Sequence, residues 1–310
     1  MNQVPKNKVS RKRESFIIAN GFLFSSMVLI AIFCTNCASK MESDHRKALL
    51  EGSNAIIEDH TCTDISKIPS YWLEKAKELT IYYAHTSHGS QIVSGAKFLA
   101  KQNPQYGFAA KHTNADHPSL PNAEDAIRMC HTFGNPASFW ESYYQSGGYT
   151  RIACDTGLFN FAMFSWCGQQ SSNTPEQVRR YLEALDGYEK EYPQMRFIYM
   201  TGHTDGRNRT LRRNNEMVRE YCAKNNKVLF DFADIESWSP DGKYYSLADG
   251  DCTWCGSWCD KHPEECLELP DKCAHSPNSG GNIKNRYNCI LKGKAFWWMM
   301  ARLAGWVPDE

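Results

Sequence analysis

The sequence predicts an α/β protein: a three-layer α/β/α sandwich with a central, mostly parallel β-sheet and a cysteine-rich loop region near the C-terminus. Short apolar runs rich in β-branched and aromatic residues alternate with amphipathic stretches of helical period. Strands that alternate with helices favour a parallel sheet covered on both faces. The 310 residues are 42% hydrophobic, which is enough for one sizeable core. We therefore expect one main domain.

Four apolar runs predict strands of this sheet, at residues 80–84, 158–166, 197–201 and 228–232. The second run, LFNFAMFSW, is apolar along almost its whole length, as expected for a strand that is covered on both faces. Ligands of parallel sheets bind outside the carboxyl ends of the strands. The residues that follow these runs are therefore the candidates for a functional site.

Four amphipathic stretches predict helices, at residues 71–79, 175–192, 211–222 and 292–304. The second has the clearest start, because Thr174 is a suitable N-cap and Gln177 completes a capping box with it. Pro175 stands between them, at the first helical position, where its missing N–H costs nothing.

The N-terminal 40 residues are typical of an export signal. A basic stretch that ends at Arg13 precedes the mostly apolar run 16–34, and small and polar residues follow it. The run is long enough to remain as a membrane anchor, and Cys37 offers a site for a lipid anchor. Residues 1–40 are thus expected to be a signal peptide or a membrane or lipid anchor, 41–66 a tether or N-terminal arm, and 67–310 the folded domain. We expect the protein to be secreted or held in the cell envelope.

The charge distribution argues against a nucleic-acid partner. The first 40 residues hold six Lys or Arg and one acid, so the rest of the chain carries 29 basic and 34 acidic residues, a net charge of −5. Phosphate contact needs a basic face, and a net acidic body does not supply one by composition.

The chain has 13 cysteines, and six lie between residues 252 and 289, in a stretch rich in Gly, Pro, Asp and Asn. In an exported protein, disulfides are their first explanation. The alternative is a zinc site, because two residues separate Cys252 from Cys255. Eleven cysteines follow the signal, so at least one thiol stays unpaired, with Cys167 and Cys222 as the candidates.

Ser87 is the candidate nucleophile. It lies in the motif HTSHGS directly after the run 80–84, where a hydroxyl is presented at a strand's carboxyl end. A serine needs a nearby base, usually a histidine oriented by a carboxylate. The structural alternative is that Ser87 or Ser90 caps the following helix.

A candidate base lies far along the chain. His275 precedes the last predicted helix, with Asp271 four residues before it, and a loop there can reach the edge of the sheet. His262, with Asp260 nearby, is the competing base.

Together these motifs resemble the SGNH (GDSL) hydrolases, over about residues 78–306. Ser87 matches that family's nucleophile, with HTSH where the family has Gly-Asp-Ser-Leu. His275 matches its base and Asp271 its orienting acid, although the family normally spaces these by three positions. Gly134 matches the oxyanion-hole glycine, and Gln170, in the motif WCGQQ, stands where the family has an asparagine. The resemblance implies an α/β/α sandwich of the SGNH-hydrolase or flavodoxin-like kind.

The activity implied by the resemblance is ester hydrolysis, removing acetyl or other small acyl groups from a small molecule or carbohydrate without a cofactor. The backbone N–H groups of Ser87 and Gly134, with an amide of Gln169 or Gln170, would form the oxyanion hole. His203, after the run 197–201, would line the substrate cleft. One alternative is a non-catalytic carbohydrate-binding or surface protein with the same fold. The other is a metal-dependent hydrolase whose ligands come from His85, His88, His203 and Asp205.

Overall fold

Seven parallel strands form one central sheet in the computed structural model, which describes residues 40, 41, 44, 53–135, 137–144, 148–206, 208–276 and 282–308. Their bounds are β1 (Ile56–Glu58), β2 (Thr80–His85), β3 (Phe108–His112), β4 (Ile127–Phe133), β5 (Phe161–Phe164), β6 (Arg196–Met200) and β7 (Val228–Phe230). Across the sheet the order is β1-β7-β6-β5-β2-β4-β3, and every pair of neighbours is parallel. The predicted α/β class with a parallel sheet is confirmed. The N-terminal segment 1–39 lies outside the described residues.

Four of the strands, β2, β5, β6 and β7, lie within or next to the predicted runs. The sequence did not predict β1, β3 and β4. Strand β4 reads IRMCHTF, and it shows no apolar run in the sequence, because the polar residues His131 and Thr132 are buried in it together with the apolar Met129 and Cys130. Strand β1, with three residues, is shorter than any periodic pattern that sequence analysis can detect; it brings part of the predicted N-terminal arm into the sheet.

Nine α-helices lie among the described residues. Their bounds are α1 (Ser70–Lys77), α2 (Ser90–Gln102), α3 (Ala137–Trp140), α4 (Tyr149–Asp155), α5 (Pro175–Glu191), α6 (Arg209–Lys224), α7 (Phe232–Ser237), α8 (Thr253–Lys261) and α9 (Tyr287–Leu303). The predicted capping box is confirmed at the start of α5: Thr174 accepts from the backbone of Gln177, whose side chain accepts from the Thr174 N–H.

The sheet separates two hydrophobic cores, one on each face. Helices α1, α2, α8 and α9 contribute to one core, and α3 to α6 pack on the other. Helices α2 and α9 touch through Gly95 and Gly293: a Cβ on Gly95 would lie 1.8 Å from the carbonyl oxygen of Cys289. Only glycine allows this approach, which fixes the segment before α9 close to the start of α2.

Three disulfides join all six C-terminal cysteines: Cys252–Cys255, Cys259–Cys266 and Cys273–Cys289. The disulfide prediction is confirmed, and the zinc alternative fails there because both thiols of Cys252 and Cys255 are consumed. The predicted unpaired thiols, Cys167 and Cys222, are both free, as are Cys62, Cys130 and Cys154. Several disulfides are compatible with an extracellular location.

Among the described residues, no helix is both long enough and apolar enough to span a bilayer.

Candidate active site

Three neighbouring strands bring polar side chains together at the carboxyl edge of the sheet. Ser87 follows β2, Cys167 follows β5 and His203 follows β6, and these strands are adjacent in the order β6-β5-β2. Parallel strands end at the same edge, so residues that are far apart in sequence meet there.

Ser87 is hydrogen-bonded to His275. Its Oγ lies 2.8 Å from His275 Nε2 across 188 residues of chain, and both side chains are half-buried. The capping alternative is not what the structure shows: helix α2 has no side-chain cap, and the Ser90 hydroxyl donates to the Ser87 carbonyl at 2.6 Å. The Ser87 hydroxyl therefore has a base as its partner.

His275 is fixed by its chain neighbours. Two residues before it, Cys273 is bonded to Cys289 of α9. One residue after it, the Ser276 hydroxyl donates to the carbonyl of Gly250 at 2.9 Å, and Gln91 of α2 donates to the Ala274 carbonyl. The backbone of His275 has φ of 61°, a left-handed conformation that costs about 1–3 kcal/mol for a residue other than glycine. The surrounding bonds hold it there.

Asp271 is not brought to His275. It is exposed, it lines a surface groove beside Lys97 and Lys101 of α2, and none of the described residues hydrogen-bonds to His275 Nδ1. The competing base, His262, stacks on Trp258 at 3.8 Å, so of the two predicted bases only His275 is hydrogen-bonded to the serine.

The predicted oxyanion donors differ in availability. None of the described residues accepts a hydrogen bond from the Ser87 N–H, so this donor is free to face a substrate. The Gly134 N–H already donates to the carbonyl of His85 at 3.3 Å, and it would have to exchange that long bond for one to the substrate.

The two glutamines also differ. Gln169 Oε1 accepts from the Cys167 N–H at 2.9 Å, which stabilises the turn after β5. Gln170 is fully buried, and its Oε1 accepts from Asn173 at 2.8 Å, whereas its Nε2 has no hydrogen-bond partner among the described residues. A buried amide with an unused donor costs about 1–3 kcal/mol.

The Ser87 cluster, as we call Ser87, His88, Cys167, His203 and His275, contains a thiol as well as a hydroxyl. Cys167 Sγ lies 3.1 Å from His88 Nδ1 and 3.5 Å from Ser87 Oγ. The ring of His88 is stacked between the other two imidazoles, with centroids 3.6 Å from His203 and 3.8 Å from His275.

These contacts change the protonation of the Ser87 cluster. Hydrogen bonds with His203 and His88 lower the pKa of Cys167 to about 4, so its sulfur is a thiolate at neutral pH. Burial by itself would lower the pKa of His203, but the contact with Cys167 and the charge of Glu236 raise it. Burial lowers the pKa of His88.

A buried ion pair is linked to His203 through Thr204. His203 Nδ1 donates to the Thr204 carbonyl at 2.7 Å, which leaves Nε2 for Cys167. The Thr204 N–H and hydroxyl both donate to Glu236, at 2.7 and 2.9 Å. Glu236 is in turn paired with Lys292 of α9 at 2.9 Å, and both side chains are fully buried.

A second group of histidines, the His85 cluster (His85, His112 and His131), lies along the neighbouring strands. His85 Nδ1 donates to the Thr86 carbonyl at 2.8 Å, and its Nε2 accepts from His131 Nδ1 at 3.0 Å. Burial lowers the pKa of His85 to about 4 and that of His131 to about 3. His85 and His131 are therefore neutral at physiological pH.

The four residues predicted as alternative metal ligands do not converge. Both nitrogens of His85 are used, and Asp205 accepts a hydrogen bond from Ser171 and pairs by its backbone with Asp249. His88 and His203 do come together, but with Cys167. Cys167 is predicted from the sequence only as an unpaired thiol. Its position directly after a central strand, as for Ser87 and His203, is the signal that marks it as a site candidate.

Comparison of the chain with protein-family models, with curated proteins and with solved structures found no match.

Proposed function

We propose that the protein is an exported serine esterase in which Ser87 is the nucleophile and His275 the general base. The observation that carries the proposal is the 2.8 Å contact between Ser87 Oγ and His275 Nε2, since a nucleophile and its base within hydrogen-bond reach define this class of site. The disulfides and the signal-like N-terminal segment support export.

In the proposed reaction, His275 Nε2 takes the Ser87 proton while Oγ attacks the ester carbonyl. The tetrahedral intermediate collapses to an acyl-serine, and protonated His275 gives its proton to the departing alcohol. Water then attacks the acyl-serine while His275 takes its proton. His275 returns this proton to Ser87 Oγ, which releases the acid and restores Ser87. General-base assistance of this kind is worth about 10²–10⁴ in rate.

The free Ser87 N–H is the first donor for the oxyanion, and the Gly134 N–H is the second once it leaves the His85 carbonyl. One such donor contributes about 10²–10³ in rate. The substrate class, an acetyl or other small acyl ester on a carbohydrate or small molecule, is the one that the resemblance to SGNH hydrolases implies. Phe133, which is 52% exposed beside Gly134, supplies an apolar surface at the same sheet edge.

The test measures hydrolysis of a chromogenic acetyl ester and labelling by a fluorophosphonate. Ser87→Ala is expected to abolish labelling and to lower hydrolysis by about 10⁴ or more. Ser94→Ala, in the second turn of α2, is the matched control and should keep both labelling and hydrolysis. A wild-type protein that is neither labelled nor active would refute the proposal and favour the non-catalytic, carbohydrate-binding alternative.

A further inference from the structure

Cys167, His88 and His203 present one sulfur and two imidazole nitrogens to a common point. Their three ligand atoms all lie within 4.8 Å of one another. Each residue comes from a different segment that follows a strand of the central sheet, so the arrangement is built by the fold and not by one flexible loop. We propose that these three residues bind a Zn²⁺ ion.

The donor atoms suit this ion. Thiolate and imidazole are the two ligand types that zinc binds most often in proteins, and three protein ligands with an open fourth position are typical of its reactive sites. Cys167 is half-exposed, so solvent can supply the fourth ligand. Exposed acidic groups, which attract Mg²⁺ or Ca²⁺, are not part of the set.

The donors must adjust their spacing and their ring orientation to bind one ion. Zinc–sulfur and zinc–nitrogen bonds of about 2.3 and 2.0–2.1 Å in a tetrahedron set the sulfur–nitrogen distance at about 3.6 Å. His88 Nδ1 lies 3.1 Å from Cys167 Sγ, so the two atoms need to separate by only about 0.5 Å. The His88 and His203 rings are stacked nearly parallel, with centroids 3.6 Å apart, and the lone pair of each lies in its ring plane. The two rings must therefore also tilt relative to each other when both bind one ion.

The surroundings orient the ligands in advance. The Thr204 carbonyl accepts the Nδ1 proton of His203, so Nε2 is the nitrogen left to bind the ion once it gives up its proton. A backbone carbonyl on the other nitrogen is the usual outer support of a metal-bound histidine. Gly250 lies close to the Nε2 side of the His88 ring: a Cβ added to Gly250 would lie 2.6 Å from His88 Nε2. This close contact keeps Nδ1 directed at the sulfur.

The site does not depend on the proposed esterase activity, and its test is a binding measurement. Metal-free protein is titrated with Co²⁺, whose bond to a thiolate produces charge-transfer absorption, and then with Zn²⁺ as competitor. We expect one Co²⁺ per chain with a thiolate band, displaced by Zn²⁺. Cys167→Ser should remove the band, and His203→Ala should weaken binding at least about tenfold.

Two matched controls are Cys154→Ala, another free buried thiol, and His262→Ala, a histidine outside the cluster; both should bind as the wild type does. Ser87→Ala should also keep the Co²⁺ band, so failure of the esterase proposal and failure of the metal proposal give different results. In the unmodified protein, Zn²⁺ should slow alkylation of Cys167 identified by peptide mass. Absence of the band in the wild type, its persistence in Cys167→Ser, or unprotected alkylation would overturn the proposal.

Discussion

The two histidine clusters lie at the same edge of the sheet, and they differ in where their nitrogens point. In the His85 cluster, His85 bonds to a backbone carbonyl and to His131, and burial keeps both rings neutral. In the Ser87 cluster, nitrogens face a hydroxyl and a thiol. The fold alone therefore does not determine which histidines carry chemistry; the partner of each nitrogen does.

Of the variants that compare the two clusters, His275→Ala is expected to have the largest effect. Removing the base should lower ester hydrolysis and fluorophosphonate labelling by about 10²–10⁴, measured as kcat/KM and labelling rate. His112→Ala, in the His85 cluster and exposed, is the control and should leave both rates unchanged. Equal losses in the two variants would mean that the clusters do not differ as described.

Loss of the Cys273–Cys289 bridge should have the next largest effect. It closes a loop with a sequence separation of 16, for which the entropy of the unfolded chain gives about 3 kcal/mol. Replacing both cysteines by serine should lower the free energy of unfolding by about that amount and reduce labelling of Ser87, because His275 loses an anchor. The Cys252–Cys255 bridge, with a separation of three, is the comparison, and its loss should have the smaller effect in urea denaturation.

Gly250→Ala should disturb only the Ser87 cluster. The added Cβ would press on His88, and such overpacking costs about 1–3 kcal/mol. Gly168→Ala is the matched control, since a Cβ there meets no atom within 4 Å. Denaturation curves and the labelling rate of Ser87 check the result; a Gly250→Ala protein with normal stability and labelling would contradict the close packing of His88.

His131→Phe should disturb only the His85 cluster, and it is best measured against pH. The pKa of His131 is lowered by burial to about 3 and that of His85 to about 4, against about 6.5 in an unfolded chain. The folded state thus binds fewer protons, so the unfolding free energy is highest above about pH 6.5 and falls towards pH 4, by up to about 1.4 kcal/mol per pH unit for each histidine.

In His131→Phe one of these contributions disappears, so stability measured by urea denaturation at pH 7, 6 and 5 should fall less steeply. Lys97 and His112, which face His131, remain in both proteins. An unchanged slope would contradict the lowered pKa of His131 in the folded state.

The sequence predicted the parts of the fold that have a strong period. The apolar runs that became β2, β5, β6 and β7 and the capping box of α5 could be identified because local pattern and burial agree there. Strand β4 could not, because its His131 and Thr132 are buried by tertiary contacts that no local pattern reports.

At the candidate site, the serine and its base could be proposed from their positions before α2 and α9. The position of Asp271 could not be predicted from its spacing to His275. The segment between them contains the bridged Cys273, and Asp271 lies on the surface. Cys167 was overlooked as a site residue because a single thiol in a sequence carries no sign of the histidines that surround it.

The contact between Ser87 and His275 spans 188 residues, and the base lies in the last segment before the final helix. During synthesis the serine emerges long before its base, and a chain that ends before residue 275 holds the hydroxyl alone. A complete site also requires α9 to dock on α2 through Gly95 and Gly293. Premature termination or C-terminal trimming before residue 275 therefore removes both the proposed base and α9, whose apolar residues fill part of one core, so that the proposed activity would report on the completeness of the chain.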